Sequence, residues 1–129
     1  SPVIRKWKIA PGSADKPPAS DAPWSTVYSK VDGVLPDADL GPGEIIYAQG
    51  AANVQVAGPV KLLLNSPKGL KLWIDDRPVN NFASPLDLTA GRHTLTFAIQ
   101  RAQRDAPSLR VELTSPTGSP AKYQPEGGL

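Results

Sequence analysis

The chain has 129 residues, of which 40% are hydrophobic and 20% charged, a composition that suits one globular domain with its own apolar core. It contains no cysteine, which excludes a disulfide framework, a Cys-ligated zinc, an iron–sulfur cluster and a covalently attached c-type haem in this segment. The net charge of +2 is too small to indicate nucleic-acid binding. No apolar run approaches the ~18 residues that a membrane span requires.

The N-terminal part, residues 1–43, is rich in loops. Residues 2–10 predict an extended segment, which we interpret as an edge strand with Trp7 packed inward. Residues 11–24 form a loop by their proline and serine content, and residues 26–31 predict a short strand that ends at the Asp32-Gly33 turn pair. Residues 35–43 predict a second loop, so we expect the first 43 residues to surround a core made further along the chain.

Residues 44–114 carry the densest strand signals and form the predicted core region. Apolar and polar residues alternate with period two in segment after segment, and turns separate them every eight to twelve residues. This pattern predicts an all-β, jelly-roll-like antiparallel β-sandwich of about eight to ten strands with little or no helix. The Pro/Gly-rich tail, residues 115–129, predicts one last strand around 121–124. The predicted core strands are 44–49, 53–57, 60–65, 70–75, 94–99 and 109–113, with a break at Gly50.

Two stretches within this region resemble a known family. Gly69 to Val79 predicts strand, tight turn and strand, and Leu86 to Ile99 predicts a short strand, an Ala-Gly corner and a long strand. With the strand Leu109 to Leu113, they resemble the PA14-like accessory jelly-roll modules of secreted bacterial proteins. The usual Asp/Asn-Gly turn is Asp75-Asp76 here, so this turn must hold a non-glycine residue in the left-handed region.

The chain is also similar to C-terminal β-sandwich modules of large exported proteins of planctomycete-type bacteria, in which c-type haem or dehydrogenase-like propeller domains come first. That resemblance implies a periplasmic or secreted module with no cofactor of its own, while any redox chemistry lies elsewhere in the parent protein. The chain has no methionine, even at position 1, which fits a module excised from a larger protein. We expect such a module to be monomeric.

Aromatic side chains are the candidate ligand-binding residues. Trp73 lies on the strand face opposite Leu70 and Leu72, where an exposed indole can serve as a flat platform for a sugar ring. The alternative is that a loop or a neighbouring module covers it. Trp24 and Tyr28 can form a second platform, or they can close one end of the sandwich.

Acidic side chains suggest a weaker hypothesis, a calcium site at Asp37 and Asp39, because calcium binds oxygen ligands from converging loops. The alternative is an ordinary solvated turn. PA14-like adhesins use an aspartate pair for calcium and sugar, but that pair lies in a binding loop, whereas Asp75-Asp76 occupies a hairpin turn. We therefore do not assign that role to Asp75-Asp76, and no metal site is assigned.

His93 is the only histidine, and no Gly-x-Ser-x-Gly nucleophile motif accompanies it. We expect His93 to form hydrogen bonds with a neighbouring strand or loop. No catalytic residue is assigned, and we expect the chain not to be an enzyme.

The expected function is that of an accessory module that binds a polysaccharide or another glycoconjugate. The first alternative is a structural domain that docks on neighbouring domains of a c-type haem or dehydrogenase-like parent protein; such a domain should expose an apolar patch. A small glycoside hydrolase is the remote alternative, and it would need two carboxylates about 5 to 9 Å apart in a cleft.

Overall fold

The computed structural model describes residues 2–127, and these residues form antiparallel sheets with 52% of the chain in strands and 6% in short helical turns. This confirms the predicted all-β sandwich. No helix in the described range is long and apolar enough to cross a membrane. The twelve strands of this range are β1 Lys6–Pro11, β2 Ser25–Tyr28, β3 Leu35–Pro36, β4 Ile45–Val56, β5 Gly58–Leu64, β6 Leu70–Ile74, β7 Arg77–Val79, β8 Leu86–Leu88, β9 Gly91–Gln100, β10 Ser108–Leu109, β11 Val111–Thr114 and β12 Lys122–Pro125.

Two sheets build the sandwich. The large sheet has the strand order β2-β1-β4-β9-β6-β7, and β12 pairs with the remaining half of β4 beyond the end of β1. The small sheet has the order β11-β5-β8, and the two-residue strands β3 and β10 pair beside it. Two 3-10 turns, Asp37–Leu40 and Arg101–Gln103, connect strands. The structure has more strands than predicted because pieces as short as β3 and β10 carry no period-two signal.

Strand β4 is continuous, so the predicted break at Gly50 is wrong. Ten residue pairs join β4 to β9 without interruption, and Gly50 lies opposite Leu95 in this ladder. A Cβ atom at Gly50 would lie 2.6 Å from Cγ2 of Ile4 and 3.4 Å from the Trp7 ring. Glycine therefore stands at this position to let two core side chains pack onto the strand, not to end it.

The N-terminal segment joins the two sheets, and the interpretation of residues 2–10 as an edge strand is wrong. The Ile4 amide donates to the Val111 carbonyl at 2.9 Å, and the Leu113 amide donates to the Pro2 carbonyl at 2.9 Å. The chain then crosses into the large sheet, where β1 lies between β2 and β4. Backbone hydrogen bonds therefore hold residues 2–4 on the small sheet and β1 in the large sheet. This side of the sandwich is closed as a result.

Trp7 is buried in the core, as predicted. Its ring meets Phe97 edge to face with the centroids 6.2 Å apart. Its indole nitrogen donates to Oγ of Ser29 at 3.0 Å, so the one polar atom of the side chain has a partner. A buried indole without this partner would lose ~1–3 kcal/mol of stability.

The core lies between the inner faces of the two sheets. The alternating positions that the sequence predicted to point inward do so on β6, β9, β10 and β11. The N-terminal region also contributes fully buried side chains, among them Ile4 and Leu35. The inward residues of the predicted pattern are Leu70, Leu72, Leu95, Phe97, Ile99, Leu109, Val111 and Leu113, with Ile74 partly buried at the edge.

The contact between Gly50 and Ile4 gives a stability prediction. Substitution of Gly50→Ala should lower the free energy of unfolding by about 1–3 kcal/mol, because the new methyl group overlaps Cγ2 of Ile4. Chemical denaturation measures this cost. In an Ile4→Ala background, where the space is vacated, Gly50→Ala should cost less than half as much. Costs that simply add in the double variant would contradict the proposed contact.

Candidate functional site

The outer face of the large sheet carries a second apolar cluster, separate from the core. It consists of Tyr47, Trp73 and Ala98, and the half-buried Trp24 packs against it. The ladder places Tyr47 opposite Ala98 and Trp73 opposite Thr96, so alternation along three strands brings these side chains together. The Tyr47 and Trp73 rings are tilted with their centroids 5.7 Å apart. An apolar cluster on an outer face needs a cover, and the loop of residues 11–24 supplies it.

Two contacts join this loop to the sheet, and a third lies within the loop itself. The Tyr47 hydroxyl donates to the carbonyl of Ser13 at 2.5 Å, and the Trp24 indole donates to the carbonyl of Ala19 at 2.9 Å. The Lys71 ammonium lies 3.5 Å from the Asp15 carboxylate. Burial raises the pKa of the Tyr47 phenol, so its hydroxyl stays protonated and remains a donor at neutral pH. The first part of the loop is thus held on the sheet, and an internal hydrogen bond holds its last part together.

A groove of about 560 Å³ lies between this loop and the open part of the sheet; we name it the loop groove. Its apolar part is formed by Trp24 and Trp73 together with the loop residues Pro17, Pro18 and Ala19. Its polar part combines both charges with neutral groups, and the Gln49 amide there donates to Oγ1 of Thr96 at 2.8 Å. The polar residues of the groove are Lys8, Gln49, Asp76, Arg92 and Thr94 from the sheet and Asp15, Lys16 and Ser20 from the loop.

The three aromatic candidates occupy different environments. Trp73 is only 8% exposed, because the loop lies over it, so it lines the loop groove without forming an open platform. Trp24 is half-buried and lines the same groove. Tyr28 is 58% exposed on β2 and is not among the residues that line the groove. The structure therefore brings the two tryptophans together and leaves Tyr28 outside.

The acidic candidates lie in a different region, in the 3-10 turn Asp37–Leu40. Nε of Arg101 lies 3.0 Å from Oδ1 of Asp37, and the same guanidinium donates to the carbonyls of Asp37 and Gly43. Asp39 is exposed. A guanidinium beside Asp37 competes with a cation for that carboxylate. Within residues 2–127, no three Asp, Glu or His side chains approach one another as a metal site requires.

His93 lies on the inner face of β9, where it lines a second cavity of about 520 Å³ between β7 and β8; we name it the sheet-end cavity. Its Nδ1 is 2.5 Å from the Asp75 carboxylate, and its Nε2 is 2.7 Å from the Thr89 carbonyl. The prediction that His93 bonds a neighbouring strand or loop is confirmed. The Thr89 hydroxyl is further from Nε2, at 3.4 Å.

The hydrogen-bonded series Asp75, His93, Thr89 has the same order of residue types as a catalytic triad (carboxylate, imidazole, hydroxyl residue), but its chemistry differs. A triad histidine needs a lone pair on Nε2 that accepts the nucleophile's proton. Here Nε2 faces a carbonyl oxygen, which only accepts hydrogen bonds, so this nitrogen must carry a proton. His93 therefore cannot serve as a general base for Thr89 in this arrangement.

The turn that holds Asp75 is a tight two-residue hairpin between β6 and β7. Both central residues are left-handed, with φ of 51° at Asp75 and 67° at Asp76, which is the geometry of a type I′ turn. The expected non-glycine residue in the left-handed region is confirmed, and the structure has two. The Asp75 carboxylate also accepts the Thr94 amide at 2.9 Å. These side-chain bonds offset the conformational cost of the turn.

Sequence reasoning missed the polar side of the loop groove. Lys8, Gln49 and Thr94 are ordinary outward residues of three different strands, and nothing local marks them as neighbours. The alternation of β1 and β4 does indicate their outward direction. Only the strand register joins these residues into one surface: Lys8 lies opposite Gln49, and the pairing of β4 with β9 adds Thr94.

No protein-family model and no curated protein sequence matches the chain. Its function is therefore inferred from the geometry of its own residues.

The burial of the tryptophans gives a fluorescence prediction. Trp7 is fully buried and Trp73 nearly so, whereas Trp24 is half-buried. Acrylamide should therefore quench mainly Trp24, and Trp24→Phe should remove most of the accessible fraction of the emission. Trp73→Phe is the matched control and should leave that fraction in place. A large accessible fraction that disappears with Trp73→Phe would mean that the loop does not cover Trp73.

The Arg101 contact gives a prediction about calcium. Millimolar calcium chloride and a chelator should give melting temperatures within about 1 °C of each other, since a ligand must bind the native state to raise the midpoint. Asp37→Asn should lower the free energy of unfolding by at most ~1 kcal/mol, the value of a partly exposed ion pair. A clear rise in melting temperature with calcium that Asp37→Asn abolishes would instead establish a calcium site there.

Proposed function

We propose that this chain is a non-catalytic accessory module that binds carbohydrate in the loop groove. The observation that carries the proposal is the meeting of Trp24 and Trp73 with hydrogen-bonding side chains in one groove of about 560 Å³. Ligand pockets combine apolar and aromatic walls with a few polar groups that fix orientation. A sugar ring offers a C–H face to the half-buried Trp24 indole and hydroxyls that both donate and accept hydrogen bonds.

The charges of the groove support a neutral, hydroxyl-rich ligand over a strongly charged one. Its cations and anions are interspersed, and some are already paired. Arg92 donates two hydrogen bonds to the Glu126 carboxylate, and Asp15 lies 3.5 Å from Lys71. Gln49 and Thr94 add neutral donors and acceptors. Such a mixed lining complements hydroxyl groups, which accept from cations and donate to carboxylates.

The state of His93 argues against hydrolysis of the Ser-His or Thr-His type, in which an imidazole acts as the general base. The chain has one histidine, and both of its ring nitrogens are committed to acceptors. No imidazole is therefore free to activate a nucleophile. We accordingly propose that any chemistry belongs to other domains of an exported, multidomain bacterial parent protein. The resemblance of residues 58–114 to PA14-like accessory modules is what suggests that setting, and with it a periplasmic or secreted location.

The alternative, a domain that docks on a haem or dehydrogenase-like neighbour, receives less support. Such a role calls for a contiguous apolar patch. Within the described residues, the large exposed apolar side chains are distributed over β2, the turn that follows it, the end of β4, and β5. They are Tyr28, Val31, Val56 and Leu63.

A binding assay tests the carbohydrate proposal. Soluble cello-, xylo-, manno- and chito-oligosaccharides should be titrated by calorimetry and by tryptophan emission, and insoluble polysaccharides should be tested by pull-down. We expect at least one of these glycans to bind. Trp24→Ala should then weaken binding by about tenfold or more, equivalent to ~1.4 kcal/mol, and Gln49→Ala should also weaken it.

Tyr28→Ala is the matched control, because it removes an exposed aromatic ring that lies outside the groove. It should leave affinity unchanged. Each variant's melting temperature shows whether the fold is intact. Failure of every glycan to bind, or affinity that depends on Tyr28 and not on Trp24 or Gln49, would overturn the proposal.

A further inference from the structure

The hydrogen-bond partners of His93 determine its charge in this structure. The side chain is buried, with 8% of the residue exposed. Nδ1 faces the Asp75 carboxylate and Nε2 faces the Thr89 carbonyl, and neither oxygen can donate. A neutral imidazole carries one N–H only and can satisfy one of these acceptors. Both contacts are satisfied together only by the imidazolium ion, in which both nitrogens donate.

We propose that protonated His93 is a positioning residue for the loop groove, which it controls through the Asp75-Asp76 turn, so that loss of its proton releases the turn and loosens the groove. The path is short. His93 bonds the Asp75 carboxylate, and the same carboxylate accepts the Thr94 amide. Asp76 and Thr94 both line the loop groove. The charge of a residue on the inner face thus acts on a site on the outer face.

The turn needs this support because of its backbone. Left-handed φ values at non-glycine residues cost ~1–2 kcal/mol each, and here two follow in succession. Aspartate tolerates the conformation better than most residues do, yet the Asp75 carboxylate makes the tertiary bonds that hold it. Once His93 is neutral, one ring nitrogen presents a lone pair to an acceptor oxygen. One of the two contacts must then open, and the Asp75 contact is the one that can swing outward, since this side chain is partly exposed.

The charged surroundings of His93 favour the cation. Asp75 faces it from the end of β6, Asp87 from β8 and Arg77 from β7, all around the sheet-end cavity. The residue opposite His93 on β4 is Ala52, whose side chain has no charge. Arg92, the neighbour on β9, points to the other face and is paired with Glu126. The groups that share the cavity with His93 are therefore two carboxylates and one guanidinium.

The direction of the pH effect follows. Burial lowers the pKa of His93, but the hydrogen bonds to Thr89 and Asp75 raise it by more, so the pKa lies above its ordinary value. A group with a raised folded-state pKa contributes stability that is fully present below the unfolded value, about 6.5 for histidine. That contribution is lost as the pH rises through the folded-state pKa. The loop groove should therefore be well ordered at mildly acidic pH and become more mobile as the pH rises into the alkaline range.

Nuclear magnetic resonance tests the inference without any ligand. The ring nitrogens of the one histidine report its protonation directly. We expect both to be protonated at pH 6, and the midpoint to lie above the ordinary histidine value. Amide hydrogen exchange at Arg77 and at Thr94, whose amide donates to the Asp75 carboxylate, should accelerate through that midpoint after correction for the intrinsic effect of pH. Exchange in the centre of β4 and β9 should not.

Two variants separate the ion pair from general charge effects. Asp75→Asn keeps a residue that tolerates the left-handed region and an acceptor for the Thr94 amide, but removes the charge. The midpoint of His93 should fall by ~1 unit or more. Asp87→Asn is the matched control, because Asp87 lines the same cavity without bonding His93. It should shift the midpoint by less than Asp75→Asn does, because it removes no hydrogen bond to His93.

The link to the groove rests on the proposed function and is tested separately. Cellohexaose, xylohexaose and chitohexaose should be titrated at pH 6 and pH 9. A hexaose that binds should bind more weakly at pH 9, and His93→Gln should remove most of that difference. If no glycan of the full panel binds, the proposed function fails while the resonance and exchange data still decide the role of His93. A midpoint below the ordinary value, or a turn whose exchange ignores the titration, would overturn the inference.

Discussion

The ten-residue pairing of β4 with β9 is the constraint on which the rest of the molecule depends. On one side of this ladder, β4 holds β1 and β12, and on the other side β9 holds β6, so three further strands of the large sheet take their positions from it. Its inner face reaches the core through Gly50, where the missing side chain admits Ile4 and Trp7. Its outer face provides Gln49 and Thr94 to the loop groove. Core packing and the groove therefore share one backbone, and a shift of register in this ladder would displace both.

Arginine side chains hold the loops that a small disulfide-rich domain would fix with cysteines. Arg104 donates to the carbonyls of Ser66, Lys68 and Ser108, and so joins two connections that lie far apart in the chain. Arg101 bonds the 3-10 turn Asp37–Leu40 in the same way. A planar guanidinium donates up to five hydrogen bonds in fixed directions, which lets one side chain satisfy several exposed carbonyls. These contacts explain how a chain with 15 prolines and no cysteine keeps its loops in place.

The sequence predicts the faces of strands well and their neighbours poorly. Alternation alone placed Leu72 and Phe97 in the core and Trp73 on the opposite face, because direction along a strand is a local property. Whether Trp73 is open or covered depends on residues 11–24, whose path across the sheet leaves no periodic signal. His93 and Asp75 are 18 positions apart, and only the pairing of β6 with β9 brings them together. Gly50 shows the same limit, since a glycine that admits a neighbouring side chain and a glycine that ends a strand look alike in sequence.

The edge of the large sheet formed by β7 has a consequence for behaviour at high concentration. Its outermost strand, β7, is three residues long and contains Pro78, which pairs with Trp73 on the neighbouring strand. In a two-residue hairpin the residues that flank the turn exchange hydrogen bonds, so the next pair directs its amides away from the partner strand. The missing N–H of Pro78 thus falls on the outward side, where an incoming strand from another molecule would need it. This edge is therefore a poor template for intermolecular sheet growth by strand addition.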